Sequence, residues 1–167
     1  RNGRVYDFDA VTAYLEQQMP RLDAHPDQWQ HVTEVALLHI DRTLKNPAGQ
    51  WLLEAHVHGQ VVCPFTIAVD GVAKRLVMDR VFFSRDSWWI IDYKTAEPDP
   101  NQAVADFIAH EVSRYRGQLD QYSSALSALL SDRPERFESS ASSKAPIKTA
   151  LYFTALPLLE TLTTRLD

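Results

Sequence analysis

Two apolar runs in the middle of the chain each carry an acid where the interior of a strand is normally uncharged. Residues 77–80 include Asp79, and residues 90–94 include Asp92. A buried, unpaired carboxylate is costly in free energy, so an acid in such a run normally has a partner. A single aspartate in a strand is most simply explained by a bond to a neighbour such as Arg80. Two of them followed by a lysine instead indicate a shared divalent cation.

A tight turn at Arg85 and Asp86 would bring the two acids together. In a two-residue hairpin centred there, Asp79 lies opposite Asp92. Opposed side chains have Cβ atoms roughly 4.5–5.5 Å apart, so both carboxylates would reach one Mg²⁺ or Mn²⁺ ion. Lys94 follows Asp92 by two residues and shares its face of the strand. A slip in this register would turn one acid to the opposite face, so the site depends on the pairing.

The composition is typical of a soluble globular protein, with 45% hydrophobic and 23% charged residues. We expect one domain, 1–167, because this length suits a single core. The chain has no apolar run of membrane-spanning length and no signal-like start, so a cytoplasmic protein without a membrane partner is expected. Cys63 is the only cysteine, which excludes an internal disulfide and a multi-cysteine zinc site. The net charge of −5 indicates that the domain does not hold nucleic acid through its own overall charge.

The spacing of apolar residues predicts an α/β fold. Helical periodicity covers residues 8–19, 32–44 and 104–129. The second helix is preceded by Asp27 and Gln30, which resemble a capping box. Strand-like apolar runs cover residues 51–58, 61–69, 73–84, 88–94 and 147–153. The pattern therefore predicts a central mixed sheet, largely antiparallel, flanked by helices.

Connections and boundaries follow from the turn-forming and polar residues. Asp70-Gly71 suits a hairpin turn, and residues 131–146 read as a polar loop. A short helix from about Leu156 is expected to close the domain. We divide the domain into a helical N-terminal part, 1–48, and a core, 49–167.

The longest predicted helix carries a polar stripe on one face. Tyr115, Gln118 and Tyr122 recur at helical spacing, so packing of this face against the sheet would place them near the acids. Considered alone, this stripe is most simply explained as two half-buried aromatics flanked by a polar residue.

Three motifs in order resemble those of the PD-(D/E)xK nuclease superfamily. Residues 79–82 resemble its first acidic motif, residues 89–95 its second, and residues 114–122 its helical motif; residues 150–153 resemble the strand that follows. The resemblance is specifically to the RecB-type nuclease domains at the C-termini of UvrD/Rep-like helicase-nucleases, including the AddA-type exonuclease subunits. It implies a restriction-endonuclease-like core.

The resemblance also implies hydrolysis of DNA phosphodiester bonds. Asp79 and Asp92 would ligate Mg²⁺ or Mn²⁺, together with the main-chain carbonyl of Tyr93. Lys94 would orient the attacking water or help to deprotonate it. A divalent cation in such a site stabilises charge that develops on the phosphate.

Residues on the helix would support the site and contact DNA. The resemblance assigns Gln118 and Tyr122 to this role. Tyr115 belongs to the same stripe. Arg114 and Arg116 are candidates for phosphate contacts, and simple solvated charge is the equally weighted alternative.

The resemblance further implies that the chain is a C-terminal piece of a larger ATP-dependent helicase-nuclease. Its motor would feed single-stranded DNA to an exonuclease site during double-strand break repair and recombination, and a second helicase-nuclease subunit would be a partner. The alternative is a catalytically inert nuclease fold that holds DNA or docks a subunit. A stand-alone restriction-type endonuclease is less favoured, because no sequence-reading module is visible.

One departure from the family pattern concerns a histidine. A metal-ligating histidine on a helix upstream of the strands is usual, and neither His25 nor His31 lies in the expected context. His39 is the nearest substitute, although a helix-face histidine without a ligand role explains it more simply. Without that histidine, an isolated fragment would bind metal weakly and cleave poorly.

Trp88 and Trp89 could stack on bases, but at least one of them is expected in the core.

Overall fold

A five-stranded mixed sheet with flanking helices forms the centre of the protein. The computed structural model describes residues 7–21, 25–69, 72–132 and 144–162. The strands follow one another across the sheet in chain order: β1 Val57–Val69, β2 Val72–Ser84, β3 Ser87–Lys94, β4 Ile147–Phe153 and β5 Leu158–Leu162. All neighbouring pairs are antiparallel except β3 and β4, which are parallel. The predicted α/β fold with a mixed, largely antiparallel sheet is confirmed.

Four helices accompany the sheet within the described residues. They are α1 Phe8–Gln18, α2 Trp29–Lys45, α3 Pro47–Leu53 and α4 Val104–Asp132, with short 3-10 turns at Met19–Arg21 and Pro26–Gln28. The three helices predicted from periodicity are all present. None of the helices in this part of the chain is both long and apolar enough to span a membrane.

The β2–β3 hairpin has the predicted turn and register. Arg85 and Asp86 have φ angles of 53° and 55°, as the two central residues of a type I′ turn require. The paired positions continue from this turn to Arg80 and Ile91. The backbone ladder therefore ends one position before the two acids.

Side chains of β3 alternate between two apolar layers. Trp88 and Ile90 belong to the larger core cluster, which contains the buried residues of α4. Trp89 and Ile91 belong to a second cluster on the opposite face, with Leu52 of α3. Both tryptophans are buried, so neither offers a free ring for stacking on a base. Because strand side chains alternate, the next positions on the α4 side are residues 92 and 94.

The strand predicted at 51–58 is wrong over its first part, and only Val57 and His58 belong to a strand, β1. The helix α3 occupies Pro47–Leu53, and the side-chain oxygen of Asn46 caps it by accepting hydrogen bonds from Ala48 N and Gly49 N at 2.9 and 3.2 Å. Proline at the first helical position after such a cap is a strong start signal. This local chemistry outweighs the apolar character of the segment. The predicted boundary between residues 48 and 49 consequently falls inside a helix.

The predicted capping box at Asp27 is also absent. Residues Pro26–Gln28 form a 3-10 turn, and α2 begins after Gln28 without a side-chain cap.

Near the end of the chain, the helix expected from Leu156 is a strand instead. Leu158–Leu162 forms β5, which pairs with β4 and covers an edge that would otherwise be open. Asp70-Gly71 and most of the predicted loop, 133–143, lie outside the described residues.

One backbone position beside the acids is strained. Val61 pairs with Arg80 and Cys63 with Met78, so Val62 lies opposite Asp79. Val62 has a φ of 52°, in the left-handed region that β-branched residues avoid, and its side chain is 69% exposed.

Replacing Val62 by glycine should stabilise the protein. The substitution relieves left-handed strain of roughly 1–2 kcal/mol and removes little packing, so we expect the free energy of unfolding to rise by about 1 kcal/mol. Val61→Gly is the matched control, because Val61 is similarly exposed, at 64%, in the same strand. That control should lower the same free energy by about 0.5–1 kcal/mol. Urea denaturation of both variants measures the difference, and equal losses would contradict strain at Val62.

Candidate active site

Asp92 is the buried centre of the candidate site. It lies near the end of β3 and is 4% exposed. Its Oδ2 atom forms an ion pair with the Lys94 ammonium, and its Oδ1 atom accepts a 3.4 Å hydrogen bond from Gln118 Nε2. A charge-assisted contact of this kind offsets part of the cost of burying a carboxylate.

Asp79 approaches the same place from β2. Its Oδ2 atom accepts a 2.9 Å hydrogen bond from the main-chain amide of Tyr93, the residue that follows Asp92. This side-chain bond joins β2 to β3 beyond the end of their backbone hydrogen-bond ladder. The charge of Asp79 is also one of the causes that raise the pKa of Asp92.

Lys94 is held between an acid and an aromatic ring. Its side chain is 13% exposed, and its Nζ atom lies 3.3 Å from the centroid of the Tyr115 ring, in addition to its ion pair with Asp92. A ring face attracts a cation through its quadrupole, most strongly where water is excluded. The ammonium is therefore fixed in position.

The polar stripe of α4 binds both strands. Gln118 Nε2 donates to the Tyr122 hydroxyl at 2.6 Å, and that hydroxyl donates to the carbonyl of Val77 at 2.7 Å. Burial raises the pKa of Tyr122, the bond from Gln118 lowers it, and the charges of Asp92 and Asp79 raise it further. These contacts bring the predicted stripe into the site. Tyr122 is 5% exposed, which suits a supporting residue better than one that touches DNA.

The two arginines lie outside this cluster. Arg114 and Arg116 are both exposed. Arg114 Nη1 is 3.6 Å from Glu111 Oε1, and its guanidinium carbon is 5.2 Å from the centroid of the Tyr115 ring. The Arg114 side chain thus adjoins the Tyr115 ring, and that of Arg116 is exposed on the same helix.

A buried glutamate on α4, Glu111, was not predicted from the sequence. The side chain of Glu111 is 4% exposed, and its Oε2 atom has no hydrogen-bond partner among the described residues. Glu111 precedes Tyr115 by four residues and Gln118 by seven, so it extends the same stripe. That spacing was the available signal, since an acid on the face that packs against the sheet is unusual.

His39 does not face the acids. Its ring is buried in α2, with Nε2 3.1 Å from Glu97 Oε1 and Nδ1 3.1 Å from Thr154 Oγ1. Both ring nitrogens are thus occupied by protein groups. The structure gives no support to His39 as the substitute metal ligand.

The pKa of Asp92 is raised, and burial is the largest cause. The bond and the charge of Lys94 lower it, and the charge of Asp79 raises it again. Repulsion by Asp79 is therefore a smaller cause of the raised pKa than burial. Because the folded pKa lies above the unfolded value, Asp92 contributes stability only while it is protonated. That contribution is lost as pH rises from the ordinary carboxyl range through the raised pKa.

Metal affinity should change with pH in the opposite sense. A divalent cation binds the carboxylate form, so protonation of Asp92 competes with binding. We expect Mn²⁺ to bind more tightly at about pH 8 than at about pH 5.5. Isothermal titration calorimetry at the two pH values measures this, and equal affinities would argue against a site that contains Asp92.

The donor set suits a hard divalent cation. Within the described ranges, no group of three or more histidine, cysteine or acidic side chains is placed to hold a metal. Mg²⁺ does not need one, because it keeps several waters and commonly takes one or two carboxylates. Asp79, Asp92 and the carbonyl of Tyr93 supply oxygen ligands of that kind. The residues therefore fit Mg²⁺ or Mn²⁺ rather than zinc.

Comparison with known proteins does not identify a family. No family model matches the chain, and no curated protein matches it significantly. The function must therefore be inferred from the chemistry of the site.

Proposed function

We propose that the protein is a metal-dependent deoxyribonuclease whose site consists of Asp79, Asp92 and Lys94. The observation that carries the proposal is the buried Asp92 carboxylate, paired with Lys94 and adjoined by a second acid from the neighbouring strand. Such an arrangement costs stability, and perturbed, paired acids of this kind concentrate at functional sites. Its oxygen donors and its ammonium match the needs of phosphodiester hydrolysis.

Each residue has a distinct role in this proposal. Asp79, Asp92 and the Tyr93 carbonyl would hold Mg²⁺ or Mn²⁺, which when bound activates water and neutralises charge on a phosphate. Lys94 keeps its ammonium beside Asp92, where it orients the attacking water and stabilises a phosphate oxygen. Gln118 fixes the Asp92 carboxylate through its amide.

The rim of the site would hold the substrate. Arg114 and Arg116 are exposed cations on the same helix as the site-forming stripe, and they would contact DNA phosphates. The net charge of −5 opposes binding of DNA by the domain's overall field. Delivery of single strands by a helicase motor in the same protein would overcome that opposition.

The resemblance to RecB-type nuclease domains leads to the more specific form of the proposal. The chain would be the exonuclease module, with a restriction-endonuclease-like PD-(D/E)xK core, of an ATP-dependent helicase-nuclease in the cytoplasm. It would act in double-strand break repair and recombination alongside a second subunit. The order of the acids, Lys94 and the polar stripe along the chain supports this.

One observation favours the alternative of an inert nuclease fold that holds DNA or docks a subunit. No histidine of the described chain adjoins the two acids, and Lys94 already occupies one oxygen of Asp92. A cation would have to compete with that ammonium. An inert domain would bind DNA without degrading it.

A cleavage assay separates the two functions. We expect the longer helicase-nuclease that would contain this domain to degrade end-labelled single-stranded DNA with Mg²⁺ and to stop when a chelator is added. Binding measured by fluorescence anisotropy on the same DNA provides the second readout. DNA that is bound but left intact, with Mg²⁺ or Mn²⁺ present, would support the inert domain and overturn the nuclease.

A further inference from the structure

A buried hydrogen-bond chain leads from the surface to the main chain of Lys94. The carbonyl of Lys94 accepts from the Thr154 amide at 2.9 Å, and Thr154 Oγ1 lies 3.2 Å from the same oxygen. Thr154 Oγ1 is also 3.1 Å from His39 Nδ1, and His39 Nε2 is 3.1 Å from Glu97 Oε1. Glu97 is 58% exposed on its side chain, so the chain begins in solvent.

The available protons restrict how this chain is connected. The Glu97 carboxylate can only accept a hydrogen bond. His39 Nε2 therefore carries a proton and donates the hydrogen bond to Glu97 Oε1. If the ring is neutral, Nδ1 accepts the Thr154 hydroxyl proton. If the ring is protonated, Nδ1 donates to Thr154 Oγ1, and the hydroxyl proton is free for the Lys94 carbonyl. In both states the rotamer of Thr154 is fixed by His39.

The chain lies behind the candidate site and not in it. His39 and Thr154 line a mostly apolar groove of 420 Å³ between α2 and the ends of β3 and β4. The side chain of Lys94 turns the other way, toward Asp92 and Tyr115. His39 and Thr154 can therefore influence the position of the ammonium only through the backbone of Lys94.

We infer that Thr154 and His39 are positioning residues, which fix the Lys94 backbone so that its ammonium stays between Asp92 and the Tyr115 ring. This inference rests on the proposed nuclease function for its kinetic consequence. Lys94 is the last residue of β3, where a strand end would otherwise fray. The Thr154 amide bonds this carbonyl in both states of the ring, and the hydroxyl, held by His39 at 3.2 Å from the same oxygen, restrains it further.

The Thr154→Val variant tests the inference. Valine keeps the β-branched shape and the amide bond but lacks the hydroxyl. We expect kcat for DNA hydrolysis to fall about tenfold, with KM within about twofold, because one hydrogen bond that orients Lys94 is lost. Thr154→Ser restores the hydroxyl and should restore kcat. Thr43→Val removes another buried hydroxyl that lines the same groove, and it should leave kcat unchanged.

A second measurement does not depend on hydrolysis. The Lys94 ammonium resonance, observed by NMR in protein with ¹⁵N-labelled lysine, should shift or broaden in Thr154→Val and in His39→Leu, but not in Thr43→Val. An unchanged resonance in both variants would overturn the inference, whatever the activity. Absence of hydrolysis in the unaltered protein would reject the proposed function, and the resonance would still decide the role of Thr154 and His39.

Discussion

Asp92→Asn is expected to weaken metal binding and to slow DNA hydrolysis strongly while the fold is retained. The amide has the same shape as the carboxylate but gives the cation one neutral oxygen and no charge. Loss of a principal metal ligand removes several kcal/mol of transition-state stabilisation, so the rate should fall about a hundredfold or more. Mn²⁺ affinity measured by calorimetry should fall at least about tenfold.

Asp86→Asn is the matched control for this change. Asp86 lies in the exposed turn of the same hairpin with a φ of 55°, and asparagine tolerates that conformation. The control loses the same charge at the other end of β3. Its rate and Mn²⁺ affinity should equal those of the unaltered protein. Equal activity of the Asp92→Asn and Asp86→Asn variants would remove Asp92 from the mechanism.

The hairpin that carries the acids was predictable because local chemistry determines it. A two-residue turn sets the register, and that register alone places Asp79 opposite Asp92. Arg85-Asp86 adopts the required left-handed conformations without glycine. The sequence could not reveal that the ladder ends at Arg80 and Ile91, or that Asp79 then turns to the amide of Tyr93. Those details depend on how the strands diverge.

Two of the wrong predictions fell where apolar character alone was used to choose between helix and strand. Residues 51–53 are apolar, but the Asn46-Pro47 start places them in α3. Residues 158–162 have a strand's composition only weakly, and pairing with the edge of β4 decides their conformation. Short apolar runs are ambiguous until their tertiary partner is known.

The acids of the candidate site and the polar stripe of α4 could be predicted from the sequence, but the contact of Thr154 with Lys94 could not. Helical spacing placed Tyr115, Gln118 and Tyr122 on one face. In the structure Tyr115 contacts Lys94 and Gln118 contacts Asp92, whereas Tyr122 bonds to Gln118 and to the carbonyl of Val77. Thr154 is distant in sequence from the acids and follows no motif. Its contact with Lys94 arises from the parallel pairing of β3 with β4, which periodicity does not specify.

Lys94→Met should separate metal binding from hydrolysis. When a chelator keeps the site free of metal, the substitution leaves Asp92 without its ion-pair partner. The free energy of unfolding should then fall by roughly 1–3 kcal/mol. That loss is below the usual cost for a broken buried pair, because Asp92 can take up a proton. In the presence of Mn²⁺ the substitution should favour metal binding, since the cation no longer competes with an ammonium at Asp92 Oδ2. Mn²⁺ affinity should rise about tenfold, although hydrolysis falls about 10²–10⁴-fold.

Lys148→Met is the matched control for this substitution. Lys148 lies on the adjacent strand β4, half-buried, with its Nζ atom 5.1 Å from the centroid of the Trp89 ring, so it loses a similar lysine–aromatic contact. It should leave hydrolysis and Mn²⁺ affinity unchanged. Calorimetry and the single-strand cleavage assay measure both variants. If Lys94→Met weakened Mn²⁺ binding, the cation and the ammonium would not share Asp92. If it left hydrolysis intact, Lys94 would have no part in the reaction. Tighter binding with lost hydrolysis is the combination that an inert domain cannot produce, because such a domain has no hydrolysis to lose.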